Sequence, residues 1–270
     1  MTFTLLTNDD GVDSPAIQAL ARALGATRDV RVVAPDRERS WVGKAITRFE
    51  PVTVKETVRA GVPMHACSGY PADAVQLGVG GLFGGSPQLV ISGINFGYNH
   101  GAAFLVSSGT VGAAIEGWVS GIPSIAFSTG TAPGDQRDWH EWRRWVLTDE
   151  ASDGWQALAQ TCAVLADEIA ASGVFDEADV ITVNLPFDAT ADTPRRVTRI
   201  ARVGYDPVFR HVGEGIYVHD FNGVFRELED LSGTDVGAAH DGLVSITPVR
   251  MPEAARLQGR TIEVLERRRG

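Results

Sequence analysis

The chain has 270 residues, 44% of them apolar and 21% charged, the balance of a globular protein long enough to bury a sizeable core. Its net charge of −10 at pH 7 repels phosphate backbones at long range. That excludes general binding of nucleic-acid polymers but leaves room for a small phosphorylated ligand whose charge a bound cation offsets.

Met1 to Asp10 has no basic flank and meets two acids early, unlike a secretory signal. Residues 3–7 form a short apolar, β-branched run, the first expected strand, and Asn8-Asp9-Asp10-Gly11 breaks it as a turn would. Ser14 followed by Pro15 marks a helix start. Ile17, Leu20, Ala21 and Leu24 share one face of that helix, and Gly25 closes it. Residues 30–34 and 89–94 read as continuous apolar strands of the kind buried on both faces. Residues 74–115 contain no Asp, Glu, Lys or Arg, yet ten glycines and Pro87 interrupt them, so they read as the dry centre of a domain and not as a membrane span. A helix is expected over 110–118 and a strand over 122–127. In 135–148 the tryptophans at 139, 142 and 145 fall at the spacing of a packing face. A helix over 155–171 and a buried strand over 180–185 follow.

From about residue 195 the pattern turns to short β-branched segments, with 195–202 basic. Runs 215–221 and 224–228 flank Asn222-Gly223, a strong hairpin signal. A strand over 243–249 and a helix over 251–269 end the chain. The expected fold is a single α/β domain: a parallel sheet sandwiched by helices over 1–194, then a β-hairpin and terminal-helix extension over 195–270 suited to oligomerisation. Cys67 and Cys162 make neither a disulfide framework nor a zinc site and read as buried apolar residues. The expected location is the cytoplasm, with no membrane partner.

Three polar clusters sit at expected strand ends, where open parallel sheets bind ligands. In the first, Asp9 and Asp10 are adjacent carboxylates that repel one another, so a dication would stabilise both ionised. In the second, residues 34–40, the Ser40 hydroxyl is a neutral oxygen donor; Asp36, Arg37, Glu38 and Arg39 read as a salt-bridged loop and Lys44 as solvated. In the third, residues 92–101, Asn95 offers a carbonyl oxygen, and His100 reads as a loop histidine. Ser107-Ser108-Gly109-Thr110 then opens a helix whose N–H groups suit an anion. Together, Asp9, Asp10, Ser40 and Asn95 make an oxygen site fit for Mg²⁺, Mn²⁺ or Ca²⁺ better than zinc. Asn99 and the helix start would hold phosphate beside it. This is a plan for phosphoester hydrolysis by a cation-activated water, with Asp9 or Asp10 as the nearest proton acceptor. A dinucleotide oxidoreductase would need a glycine-rich turn after the first strand, and a receiver domain an acceptor Asp where Asn95 stands.

These clusters resemble one family: SurE, the survival-protein nucleotidases that remove phosphate from nucleoside monophosphates. The likeness lies in residues 5–12, in 33–37 with Arg39-Ser40, and in Gly69 with Pro71-Ala72-Asp73. It continues through 90–95 with Gly97, Asn99 and Gly101, 108–111 with Glu116-Gly117, Asn184 with Pro186, Thr234-Asp235 and 244–248. The resemblance implies a Rossmann-like fold and 5′- or 3′-nucleotidase activity. It places Mg²⁺ or Mn²⁺ on Asp9, Asp10, Ser40 and Asn95, and phosphate on Asn99, Ser108, Gly109 and Thr110. It also implies homodimers or homotetramers that exchange C-terminal elements. Related alternatives are a broad-specificity acid phosphatase or exopolyphosphatase, and a non-catalytic nucleotide sensor. The sequence departs from the family pattern at Trp41-Val42-Gly43-Lys44, at 102–106 and at Tyr70, which alters the expected pocket wall. Trp41 or Tyr98 is expected to stack on a nucleobase.

Overall fold

β-branched and apolar residues pack β1 (Thr2–Thr7), and their alternation sends successive side chains to opposite faces of the sheet. Leu6 packs with Ile91 among the helices of one face, whereas Phe3 and Leu5 join Val33, Val90 and Ala113 on the other. This two-sided burial is repeated along the central strands. In chain order come α1 (Pro15–Gly25), β2 (Val30–Pro35), β3 (Val54–Arg59), β4 (Val62–Cys67), α2 (Pro71–Val79), β5 (Ser86–Phe96), α3 (Gly101–Ser107), α4 (Gly109–Val119) and β6 (Ser124–Gly130). They are followed by α5 (Trp139–Trp145), α6 (Ser152–Ala171), β7 (Val180–Pro186), β8 (Arg195–Val197), β9 (Val203–Gly204), β10 (Phe209–Gly213), β11 (Ile216–His219), β12 (Arg226–Glu227), α7 (Asp235–His240) and β13 (Val244–Val249). The structure is a computed structural model describing residues 2–221, 223–252, 254, 258, 259 and 262.

The main sheet has nine strands in the order β3-β4-β2-β1-β5-β6-β7-β13-β8. The run from β4 to β7 is parallel; β3 on β4 and β13 on β7 are antiparallel. Helices α1 and α6 cover one face and α2 and α4 the other. The fold is thus the expected Rossmann-like α/β sandwich. Winding reverses between β1 and β5, which pair from Thr2 with Ser86 to Thr7 with Ser92, so a crevice opens beyond their carboxyl ends. No single helix among the described residues is long and apolar enough to cross a membrane.

The tryptophan stripe is a packing face. Trp142 is fully buried, and the α6 residue Trp155 sits 4.8 Å from the Phe187 ring and 5.1 Å from Phe96. Its indole Nε1 donates to the Val146 carbonyl at 2.7 Å, tying the end of α5 to α6.

The C-terminal part departs from expectation. β11 pairs with β10 around Glu214-Gly215, not with residues 224–228. Glu214 and Gly215 adopt φ of 46° and 77°, the two positive angles a tight hairpin turn needs. β12 pairs instead with β9. Asn222 lies outside the described residues, as does most of the expected 251–269 helix. Within the basic, β-branched segment 195–202, Arg195–Val197 form β8, parallel to β13.

Trp155→Ala removes this buried anchor and its hydrogen bond. A loss of about 3–5 kcal/mol of stability is expected, to be read from urea unfolding followed by circular dichroism.

Candidate active site

The crevice is built from the turn that leaves β1. Asn8 closes it by donating to and accepting from Gly11, both at 3.1 Å. Gly11 takes φ 88° against the Arg37 backbone, where an added Cβ would meet the carbonyl carbon at 3.0 Å. Residues after β2 are bound to the same turn, because the Arg39 N–H donates to the Asp9 carbonyl at 2.7 Å.

Helix α4 aims its first turn at Asp9. Thr110 Oγ1 donates to Asp9 Oδ1 at 2.5 Å. An added Cβ on Gly109 would lie 2.8 Å from Asp9 Cβ and 2.9 Å from Oδ2, so any side chain there would displace the carboxylate. Asp10 Oδ2 accepts the Phe96 N–H at 3.3 Å, joining the ends of β1 and β5. Asn95 Nδ2 donates to the Gly97 carbonyl at 2.6 Å, which leaves the amide oxygen as the group's available end.

A cavity of about 1010 Å³ opens over this corner. Of the expected residues, Asp9, Ser40, Asn95, Asn99 and Ser108 line it, as do Trp41 and Tyr98; Asp10, Gly109 and Thr110 lie off its wall. Asn99 donates one amide hydrogen to Ser128 Oγ at 2.9 Å and keeps the other. Ser108 Oγ accepts the Val111 N–H at 3.0 Å as the α4 cap, and its own proton remains to be given. The Thr110 hydroxyl is already committed to Asp9, so its side chain serves the carboxylate rather than an anion.

Burial pushes Asp9 up to about 6 despite the lowering effect of Thr110. Burial, together with the negative charges of Asp9 and Glu38, holds Asp10 well above the ordinary carboxylate range. Neither forms a salt bridge among the described residues. Two desolvated carboxylates with neutral Ser and Asn oxygens nearby fit a hard divalent cation, which would relieve both burial and repulsion. No group of three His, Cys, Asp or Glu residues suited to a metal occurs among the described residues. A cation held at this corner would therefore need neutral oxygens to complete its coordination shell.

The charged loop is not paired internally as expected. Glu38 pairs with Arg143 of α5 at 2.6 Å and accepts the Ser40 hydroxyl at 2.6 Å. Arg39 donates to the Ser68 carbonyl at 2.5 Å and lies over the Tyr70 ring. Lys44 is not solvated at its head: it pairs with buried Glu116 of α4.

The outer wall was not legible in the local sequence. Trp41, in a left-handed conformation at φ 59°, has its ring 5.4 Å from Tyr205, 5.0 Å from His219 and 5.3 Å from Phe221. It also meets Phe104 at 6.1 Å, so two departures from the family pattern pack on one another. Tyr98 gives its hydroxyl to the Thr131 carbonyl at 3.1 Å and stacks on His100 at 5.0 Å. Aromatic enrichment over 205–225 was the only signal for these contacts.

These features define a doubly wound α/β protein whose ligand crevice sits at the switch point of its sheet, with an acidic oxygen corner beside a helix N-terminus. Residues 4–207 match the family model described as Survival protein SurE. Over 268 residues, covering 96% of both chains, the sequence is 34% identical to the 5′-nucleotidase SurE of Methanosarcina acetivorans. It is 39% identical over 252 residues to 5′-nucleotidase SurE 1 of Thermus thermophilus, covering 92% of this chain and 91% of that one. The crystal structure of the SurE protein from Aquifex aeolicus superposes with a TM-score of 0.70 at 30% identity, covering 98% of each chain. The chain belongs to the SurE family.

A folded-state pKa above the unfolded value of about 4 means that the native protein holds extra protons in between, and stability falls as pH rises through that window. At pH 7, Asp10→Asn is expected to raise the melting midpoint of the EDTA-treated protein, and this gain shrinks at pH 5. Mn²⁺ should then raise the midpoint of the wild type far more than that of the variant, by scanning calorimetry.

Proposed function

We propose that this chain is a divalent-cation-dependent phosphomonoesterase that hydrolyses nucleoside monophosphates to nucleoside and inorganic phosphate. The observation that carries the reading is the convergence, in one cavity, of the uncompensated Asp9 carboxylate, Ser40 and Asn95 with the phosphate-suited Asn99 and Ser108. The names of the relatives support the nucleotide class of substrate.

Asp9, Asp10, Ser40 and Asn95 would hold the cation, Mg²⁺ or Mn²⁺. When bound, such an ion neutralises charge on the phosphoryl group and makes a water nucleophilic near neutral pH. The protein's part is placement. Thr110 fixes one oxygen of Asp9, and the Phe96 N–H fixes one of Asp10. The remaining amide hydrogen of Asn99, the Ser108 hydroxyl and the positive end of α4 at Gly109 would hold the phosphate in the orientation for displacement. Gly109 lets that helix end approach without a side chain intervening. The nucleoside then extends toward Trp41, whose ring offers an apolar face at the cavity mouth. Tyr98, with its hydroxyl bound and a face covered by His100, shapes that wall from beneath.

We assign the protein to the cytoplasm. Cys67 and Cys162 are buried free thiols, and burial pushes Cys67 up to about 11, which suits a reducing compartment and leaves both unreactive. We also assign it a homo-oligomeric state through its C-terminal extension: Phe209, Ile216 and Tyr217 on the β10–β11 hairpin are each about 60% exposed, an apolar surface suited to a second copy.

With Mn²⁺ or Mg²⁺ the purified protein should release phosphate from nucleoside monophosphates, and EDTA should stop it. Asp9→Asn is expected to lower kcat at least 100-fold, of the order lost with a principal electrostatic group, while circular dichroism stays native. Normal turnover in that variant would reject the site. Light scattering should report a dimer or tetramer, and Ile216→Asp with Tyr217→Glu should shift it toward the monomer.

A further inference from the structure

One ion pair stands at the acidic corner without a part in the scheme above. Glu38 comes from the loop after β2 and Arg143 from α5, and both line the cavity with Asp9, Ser40 and Asn95. Arg143 donates to Glu38 Oε1 at 2.6 Å. The Ser40 hydroxyl donates to the same oxygen, also at 2.6 Å. The Glu38 side chain is 45% exposed and that of Arg143 35%. Exposed ion pairs add little to stability, so holding the fold together is a poor account of this one.

The loop is fixed against the acids. The Arg39 N–H donates to the Asp9 carbonyl at 2.7 Å, and the Arg39 carbonyl oxygen lies 3.1 Å from where a Cβ on Gly109 would stand. Glu38 and Ser40 flank that residue. The negative charge of Glu38 also reaches the corner, since it raises the proton affinity of both Asp9 and Asp10.

What Glu38 does to Ser40 follows from the chemistry of a hydroxyl, which has one proton and two lone pairs. Such a group ligates a hard cation through a lone pair, with its proton turned elsewhere. On an exposed serine without a fixed acceptor the proton rotates. Here it is given to Glu38, and both lone pairs are left for other partners. The acceptor is a carboxylate, which makes the hydrogen bond short and strong. Arg143 pins that carboxylate at the oxygen that Ser40 uses.

We propose that Glu38 is a positioning residue that accepts the Ser40 hydroxyl hydrogen bond, so that Ser40 presents a lone pair to the divalent cation. The inference rests on the reading of Asp9, Asp10, Ser40 and Asn95 as the cation site. Glu38 acts through Ser40 and is not itself a ligand.

The test is Mn²⁺ binding without substrate, by isothermal titration calorimetry, for wild type, Glu38→Ala, Glu38→Gln, Ser40→Ala and the double variant of Glu38→Ala with Ser40→Ala. Glu38→Ala should raise the Mn²⁺ Kd about tenfold, of the order lost with a partner that orients a metal ligand, while circular dichroism stays native. Glu38→Gln keeps a carbonyl acceptor for the hydroxyl and should recover most of the affinity. In the Ser40→Ala background, Glu38→Ala should have no further effect. Losses that multiply in the double variant, or a Glu38→Gln protein as weak as Glu38→Ala, would overturn the assignment and make Glu38 a ligand or a remote charge. An unchanged Kd in Glu38→Ala would overturn it as well. A wild type that binds no Mn²⁺ would instead remove the cation site, and this inference with it.

Discussion

The hydrogen bond from Thr110 to Asp9 joins the end of the first strand to the start of the helix after the fifth, and the crevice takes its shape from that junction. It forms only because Gly109 lets α4 come against the carboxylate without a Cβ. The same junction brings the N-terminal end of α4 next to two acids that form no salt bridge among the described residues. Burial raises the proton affinities of Asp9 and Asp10, against the lowering effect of the Thr110 hydrogen bonds on Asp9. A fold that keeps such a pair of desolvated carboxylates gives up stability at neutral pH. The two-sided core around β1 and β5, with Leu5, Leu6, Val90 and Ile91 fully buried, offsets that cost.

Much of this was legible in the sequence because the relevant signals are local. Runs such as 30–34, 89–94 and 180–185 are apolar throughout, as strands buried on both faces must be, and they predict a parallel sheet without further information. Asp9, Ser40, Asn95 and Ser108 each stand at the end of such a run or at the start of a helix, where this topology gathers polar groups. The β3–β4 hairpin escaped notice because the charged Lys55, Glu56 and Arg59 of its edge strand mask the few apolar residues, such as Val54, Met64 and Cys67, that pack inward. Helix α3 and all of α2 after Asp73 lie in a glycine-rich, uncharged stretch that hides helical periodicity. In the extension, two sequences competed for one turn. Glu214-Gly215 provides the backbone angles and carries the hairpin in place of the Asn-Gly signal further on.

The wall opposite the acids was illegible for a different reason. It arises from contacts between segments far apart in sequence: Trp41 from the loop after β2, Phe104 from α3, and Tyr205, His219 and Phe221 from the extension. No periodicity encodes such a meeting. It puts two separate stretches in contact, since the Trp41 and Phe104 rings meet at 6.1 Å. The Glu38–Arg143 pair was missed in the same way, because its partners lie on different sides of the cavity.

Apart from β13, which joins the main sheet, the extension packs through a small cluster of Ala201, Val203 and Val236 with Phe104, Phe225 and Leu231. A satellite of that size can detach at far lower free energy than the central strands. His219, Phe221 and Phe225, which line the crevice, thus belong to the part of the chain packed outside the central cores, so a local opening there would reshape the mouth while the acidic floor keeps its contacts.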